Sequence, residues 1–584
     1  MPIWDLTFFY KSPHDDKIKK DLEEGLNKAE QLRQKYHNKL SDPTLSSSQL
    51  KNFFVECEEL FNKVWLTIQY ASLNYAADTS NELYQKLAAI CDDYESKIEM
   101  ELSFWKPAIL KQSDSKLKEF MESEELKDYK HVIENLLKSK KHVLSADAEK
   151  VLAAMYNSSR GGFQDLYQRL TSSYIFEIEI DGMIKTLTEP QMRSLRMHPD
   201  KDVRRRAMKI LFDRYEKDQL VIEKTYNSIV KNYDTEASLR NFQEPISMRN
   251  LENEVDDKIV STVIEVTTEN TPLVHQYYNW KTKKMGIPLT LADIYAPLEK
   301  EQKEYSFEEA KNLVLEAYYH FDEEFGEIVD SFFTEKRIDS DIRKGKRGGA
   351  FTSYVVPNKK PFILMNFTGN MNDVMTLAHE LGHGIHGVLA SKQNVWNYHP
   401  PLVMAEVASV FGEMLVMDAV LPTLSEEERI AFIASKIEDT FATMFRQNMF
   451  ARFEISSHKM ISDNGSATWK ELSNLYSQEL KIMFGDSVII PDEYHFEWSS
   501  ISHMFHTPFY VYAYNFANLL VLALYEQYKQ EGRSFVPKYK ELLSSGANDS
   551  PDRLLKKVGI DINQKAFWKR GFEFIEREFL NKLD

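Results

Sequence analysis

Apolar residues recur at three- and four-residue steps through most of the chain, the spacing of amphipathic helices. In "KKDLEEGLNKAEQLRQKYH", Leu22, Leu26, Ala29 and Leu32 fall on one face, and the stretch from about Lys17 to Glu101 reads as antiparallel helices broken by "SDPTLSSSQ" near Asp42. A charged helical stretch covers Ser113 to Lys140. The period changes at "YIFEIEIDGMIKTL". There Ile175, Glu177 and Glu179 alternate with Phe176, Ile178 and Ile180 before the turn pair Asp181-Gly182, which predicts a β-hairpin near residues 174–187. Helical spacing resumes at Pro199 and runs to about Glu269, with Arg204, Arg205 and Arg206 expected on a solvated face. "RKGKRGGAFTSYVVPNKKPFILMNF" then predicts a glycine-rich loop and two short strands, and "TGNMND" starts a helix. The rest is mostly helical, so the fold class expected is mainly α.

Composition narrows the function classes. Hydrophobic content of 43% and charged content of 28% are ordinary for a folded soluble chain. The 73 Lys+Arg against 90 Asp+Glu give −17, which disfavours nucleic acid as the main ligand because a phosphate backbone needs a cationic surface. No stretch approaches the roughly eighteen apolar residues of a spanning helix, and the N-terminal residues lack a signal-peptide pattern, so a cytoplasmic location is expected. Only Cys57 and Cys91 occur, so neither a disulfide framework nor a CxxC site is available, and any metal must be held by His, Asp or Glu.

The helix after "TGNMND" contains "TLAHELGHGI". His379 and His383 lie about 40° apart around a helix, so their imidazoles leave one face a turn apart and can grip one tetrahedral ion. Glu380 sits at the edge of that face, placed to take a proton from water activated by zinc. With 15 His in 584 residues, chance gives roughly 0.04 such pentads. Gly382 and Gly384 each cost about 1 kcal/mol relative to Ala in a helix interior, which points to close approach of another backbone or a substrate. A third histidine ten residues after the first is absent, since position 389 is Leu389. The third ligand is therefore sought in "PLVMAEVASVFGEMLVMDAV", where Glu406 and Glu413 stand among apolar residues and need partners. Glu406 is assigned as the ligand and Glu413 as the acceptor behind a ligand histidine. Asp373 either caps the motif helix or orients a ligand, and His386 reads as structural or as a supporting neighbour.

At this point the sequence resembles the thimet oligopeptidase family of zinc metallopeptidases, and within it oligoendopeptidase F and its relatives. The matching blocks are "KRGGAF", "PFILMNFTGNMNDVMTLAHELGHGIH", "MAEVASVFGEML" and "HMFHTPFYVYAY", and "WDLTFFY" resembles the opening of these proteins. The resemblance implies one zinc ion on His379, His383 and Glu406, with Glu380 as general base. It also implies that His503 and tyrosines among Tyr510, Tyr512 and Tyr514 face the scissile carbonyl; Tyr510 and Tyr514, four apart, are favoured for the oxyanion and Tyr512 for substrate contact. Phe362 and Leu364 would belong to an edge strand that pairs with the substrate backbone, and the loop with Gly348 and Gly349 would close over it. The implied architecture is a two-lobed helical ellipsoid with a deep channel for short unfolded peptides and a small sheet beside the HExxH helix. Residues 1–195 would form an N-terminal helical region and 196–584 the catalytic domain.

The expected activity is hydrolysis of internal bonds in oligopeptides. A carboxypeptidase or dipeptidyl carboxypeptidase on a similar scaffold is the alternative, and it needs a cation near the metal, for which Arg343, Lys346 and Arg347 are available. A non-catalytic peptide-binding protein with a structural zinc is a third reading, disfavoured because such a site has no use for Glu380.

Overall fold

The computed structural model describes residues 1–298 and 303–583. The described chain is mainly helical, with one two-stranded and one three-stranded sheet. It divides into two compact units, each drawn from three stretches. The first comprises Met1–Lys141, Gln302–Thr423 and Gln527–Asp561; the second comprises His142–Glu301, Leu424–Glu526 and Ile562–Asp584.

The first unit opens with α1 (Asp16–Tyr36), α2 (Ser47–Ala77) and α3 (Glu82–Leu102). Leu22, Ala29 and Leu32 are buried along α1, as their spacing requires. The break between the first two helices ends where Ser46 and Gln49 form a reciprocal cap on α2, satisfying backbone donors that the helix start leaves open.

The second unit contributes β1 (Ile175–Ile180), β2 (Met183–Thr188) and α4 (Gln219–Leu239). The strands pair antiparallel, Ile180 opposite Met183, through a turn in which Asp181 and Gly182 have φ of +53° and +73°. Phe176, Ile178 and Ile180 face the core. The basic run that follows is not uniformly solvated. Arg204 is 1% exposed, and its Nε donates to Asp293 Oδ1 at 3.0 Å, while Arg205 donates to the other carboxylate oxygen. The buried Asp293, 89 residues away, draws them in, because a desolvated carboxylate needs paired donors. Of the three arginines, Arg206 alone is exposed.

The chain returns to the first unit with α5 (Phe307–Phe321), β3 (Ile338–Asp339), β4 (Phe351–Ser353), β5 (Phe362–Leu364), α6 (Met371–Ala390) and α7 (Ser409–Val420). The sheet order is β3-β5-β4. This corrects the expectation of an edge strand at 362–364. β5 is central, parallel to β3 on one side and antiparallel to β4 on the other, so its main chain is engaged along both edges. Phe362 and Leu364, 2% and 0% exposed, pack with Trp4, Phe9 and Tyr70 in a core beneath the sheet. β3 and β4 are the edge strands. In the second unit α8 (Phe445–Asn464) follows, and α9 (Tyr512–Glu531) opens there.

Candidate metal centre

The motif helix α6 begins at Asn370, whose side chain accepts from Asp373 N–H while the Asp373 carboxylate accepts from the N–H groups of Thr368, Gly369 and Asn370. Of the two roles open to Asp373, the structure shows the cap and not support of a candidate metal ligand: its carboxylate contacts lie at the helix start.

Two turns on, the His379 and His383 rings lie 4.9 Å apart and nearly perpendicular. The chain leaves α6, crosses a loop and a short helix, Leu402–Ala405, and brings Glu406 back to them. Glu406 Oε2 lies 3.3 Å from His379 Nε2 and 3.5 Å from His383 Nε2. One donor atom from each of the three residues falls within 4.8 Å of the others. Ser409 Oγ donates to Glu406 Oε2 at 2.6 Å and fixes the carboxylate from the start of α7.

The close return explains the glycines. A Cβ on Gly382 would stand 2.3 Å from the Ala408 carbonyl oxygen and 2.6 Å from Ser409 Cα, and one on Gly384 would stand 2.5 Å from the Phe332 ring. The first is the backbone approach that the helix-interior glycines pointed to. On α7, a Cβ on Gly412 would meet the Tyr318 hydroxyl, which donates to the Ala378 carbonyl at 2.9 Å and ties α5 to the motif helix.

Glu413 Oε1 is 2.7 Å from His379 Nδ1. An acceptor there holds the proton on Nδ1 and turns the Nε2 lone pair toward the donor cluster. Burial works against a charged His379, but the Glu413 hydrogen bond and the nearby carboxylates outweigh it and raise its pKa to about 9, so a metal ion taking the Nε2 lone pair would displace a proton there. His383 has a backbone hydrogen bond to Ala405 in place of a carboxylate, and burial pulls it down to about 4. His386, 2% exposed, is lowered to about 3 by burial and stands outside the donor group.

Glu380 is 5% exposed, and burial raises its carboxyl above the usual range. Thr352 on β4 lies 2.7 Å from both Glu380 Oε2 and the Glu380 carbonyl oxygen, so the edge strand holds the motif carboxylate. Sequence reasoning missed Thr352 and Ser409. The available signals were a hydroxyl within the short strand "FTS" and a serine three residues after Glu406.

In the loop before β4, Arg343 donates with both terminal nitrogens to the Asp339 carboxylate at 2.7 and 2.6 Å. Lys346 lies 2.8 Å from the same carboxylate and donates to the carbonyls of Asp339, Asp341 and Met365. Arg347 is exposed, as are Gly348 and Gly349, which have open space where a Cβ would stand.

In the second unit, His503, Tyr510 and Tyr514 form a ring cluster: His503 lies 6.1 Å from Tyr510 and 6.0 Å from Tyr514, and the two tyrosines are 5.4 Å apart. Tyr510 precedes α9 and is not part of it. Tyr512 turns away and is 1% exposed, with its hydroxyl accepting from Asn253 at 2.8 Å. Its assignment to substrate contact is corrected, as are those of Phe362 and Leu364, because all three side chains are spent in cores.

Another group, His131, Glu134 and Asp549, also gathers potential donors. Arg553 bonds both carboxylates, at 2.9 Å to Glu134 Oε1 and 2.5 Å to Asp549 Oδ1, so a fixed cation already balances them.

Comparison with known proteins agrees with this geometry. The profile described as Peptidase family M3 matches residues 194–574, and that described as Oligopeptidase F matches residues 109–176. An oligoendopeptidase F homolog from Borreliella burgdorferi is 29% identical over 572 residues, 96% of this chain and 94% of its own. Oligopeptidase PepF of Bacillus subtilis is 28% identical over 536 residues, 90% of this chain and 79% of its own. Among solved structures, one from Chlamydophila abortus superposes with a TM-score of 0.90 at 23% identity, covering 100% of this chain and 97% of that one. Oligoendopeptidase-F from Enterococcus faecium gives a TM-score of 0.70 at 24% identity over 97% of both chains. A profile match over more than half of the sequence settles the relationship: the chain belongs to peptidase family M3.

Proposed function

We propose that the protein is a zinc-dependent endopeptidase that hydrolyses internal bonds of short, unfolded oligopeptides. The observation that carries this reading is the meeting of His379, His383 and Glu406 within 4.8 Å, with the buried Glu380 beside them and outside the donor set. Two imidazoles and one carboxylate fit zinc and leave a fourth position open, the donor set of a catalytic site; a closed structural site would use all four. A zinc ion held there would supply Lewis acidity, polarising the scissile carbonyl and lowering the pKa of water.

The chain's own residues do the rest. Glu413 keeps His379 in the binding tautomer, and Ser409 fixes the Glu406 carboxylate. Thr352 anchors one oxygen of Glu380, leaving the other to take the proton of the attacking water and pass it to the leaving amine. His503 and Tyr510, with Tyr514 beside them, donate hydrogen bonds to the developing oxyanion. That assignment rests on the family resemblance, and the clustering of the three rings supports it.

Peptide recognition by strand addition moves to β4, the edge strand that also carries Thr352. The exposed loop with Gly348 and Gly349 precedes it and is proposed to cover bound peptide. Endopeptidase action is favoured over C-terminal trimming because Asp339 claims two of the three loop cations that could hold a free carboxylate. The division into an N-terminal helical region, 1–195, and a catalytic region, 196–584, is supported by the span of the family match, although the compact units cut the chain differently. A cytoplasmic site of action is proposed; no helix among the described residues is long and apolar enough to cross a membrane.

The test is mass spectrometry of a peptide panel with free and blocked termini, incubated with zinc-loaded and chelated protein. Internal cleavage of blocked peptides that stops on chelation is expected. Trimming of free C-termini alone would replace the reading with a carboxypeptidase, and zinc binding without cleavage would replace it with a peptide-binding protein.

A further inference from the structure

The segment that carries the ring cluster bends sharply. His503 lies on the short helix Ser502–His506, the chain turns through Thr507, Pro508 and Phe509, and α9 starts at Tyr512. Phe509 has φ of +58°, a left-handed conformation that a bulky residue adopts only where its surroundings enforce it.

The enforcing contacts come from α8 and α4. Glu454 on α8 is 0% exposed, and its Oε1 accepts the Phe509 N–H at 2.9 Å. The Phe509 ring, 2% exposed, packs 4.3 Å from the His458 ring and 5.7 Å from Tyr233. His458, one turn beyond Glu454, is fixed in turn by its Nδ1, 2.6 Å from Asp234. Gln164 holds the near side of the bend by donating to the carbonyls of Phe505 and His506.

A carboxyl in such a place is costly, and an apolar side chain would fill the space more cheaply. What an apolar side chain lacks is an acceptor for an N–H that the left-handed turn directs inward. Among the described residues Glu454 Oε2 is buried with no hydrogen-bond partner, and the hydrogen bond this side chain makes there is the one to Phe509. Burial pushes the carboxyl up to about 8, so near neutrality it is chiefly uncharged, and glutamine would match it in length, charge and acceptor.

We infer that Glu454 is a positioning residue: by accepting the Phe509 N–H it fixes the bend that presents Tyr510 alongside His503. The catalytic part of this inference rests on the assignment of those rings to peptide hydrolysis made above.

The test compares Glu454→Gln with Glu454→Met, which keeps length without an acceptor; Glu454→Ala replaces the latter if it does not fold. Hydrogen–deuterium exchange of a fragment covering residues 503–514 reads the bend directly. Faster exchange is expected in Glu454→Met and wild-type exchange in Glu454→Gln. Glu454→Met should lose about 10–100-fold in kcat with KM and zinc content held, since small misplacements of a reacting group cost rates of this order. Glu454→Gln should stay within about threefold of wild type, its acceptor being retained. The double variant Glu454→Met/Tyr510→Phe should be no slower than Tyr510→Phe, as expected of coupled residues. Unchanged exchange in Glu454→Met, or a kcat within about twofold of wild type, would overturn the inference. Wild-type rates in both His503→Ala and Tyr510→Phe would overturn the assignment of the rings instead, and the exchange result would still decide whether Glu454 holds the bend.

Discussion

Gly382 offers a test in which two physical effects oppose each other in sign. On helix propensity alone, Gly382→Ala should stabilise α6 by about 1 kcal/mol. The structure predicts the reverse. The new Cβ would stand 2.3 Å from the Ala408 carbonyl oxygen, where ordinary contact begins at 3.4 Å, so backbone must move by about 1 Å. No flexible side chain can absorb that shift, because the atoms met belong to Ala408 and Ser409, and Ser409 holds Glu406. Overpacking of this kind costs about 1–3 kcal/mol, enough to cancel or exceed the propensity gain. The displacement also carries Glu406 away from His379 and His383, so metal affinity should fall by at least about tenfold, the scale seen when ligand support is disturbed. Thermal unfolding of the metal-free protein and chelator competition for zinc measure the two effects separately. A Gly382→Ala variant that is more stable than wild type and binds zinc equally well would refute the close-approach account.

Removing the carboxylate behind His379 by Glu413→Ala should weaken zinc binding about 10–100-fold, measurable by the same competition; an unchanged affinity would refute its orienting role. Thr352→Val keeps the shape of the edge strand but removes the hydroxyl from Glu380, and kcat should fall by roughly 10-fold or more, given that a hydrogen bond to a charged group is worth about 1.5–3 kcal/mol. A rate equal to wild type would mean that Glu380 is held by other means. Glu454 makes stability depend on pH. Burial raises its folded pKa to about 8 from an unfolded value near 4.5, so its contribution is fully present below 4.5 and is lost as pH rises through 8. Denaturant midpoints from pH 5 to 9 should show wild type losing stability relative to Glu454→Gln, by an upper limit on the order of 5 kcal/mol. A difference that stays flat with pH would contradict the buried, neutral carboxyl.

Much of the candidate metal centre was legible because it depends on local geometry. The four-residue step of His379 and His383 fixes a shared helical face whatever surrounds it, whereas Tyr510 lies outside α9 and meets Tyr514 through the bend before that helix, not through a shared helical face. Glu406 and Glu413 were legible through cost, as carboxylates in an apolar stretch that require partners. What the pattern did not reveal depends on contacts distant in sequence. β3 is two residues long, too short for a period-two signal, yet its pairing makes β5 central and puts the edges at β3 and β4. Asp339 turns Arg343 and Lys346 from available cations into structural ones, and Asp293 buries Arg204. Asp373 was ambiguous because an acidic residue in a first helical turn suits both capping and ligand support; hydrogen bonds from three consecutive backbone N–H groups resolve it.

The central claim is that Glu380 is the proton-transferring base beside a metal held by His379, His383 and Glu406. Steady-state hydrolysis of one blocked peptide by Glu380→Gln, with bound zinc quantified on the same sample, tests it most directly. Full zinc occupancy with kcat reduced by about 10²–10⁴-fold is predicted. A zinc-loaded Glu380→Gln protein that cleaves at the wild-type rate would contradict the account.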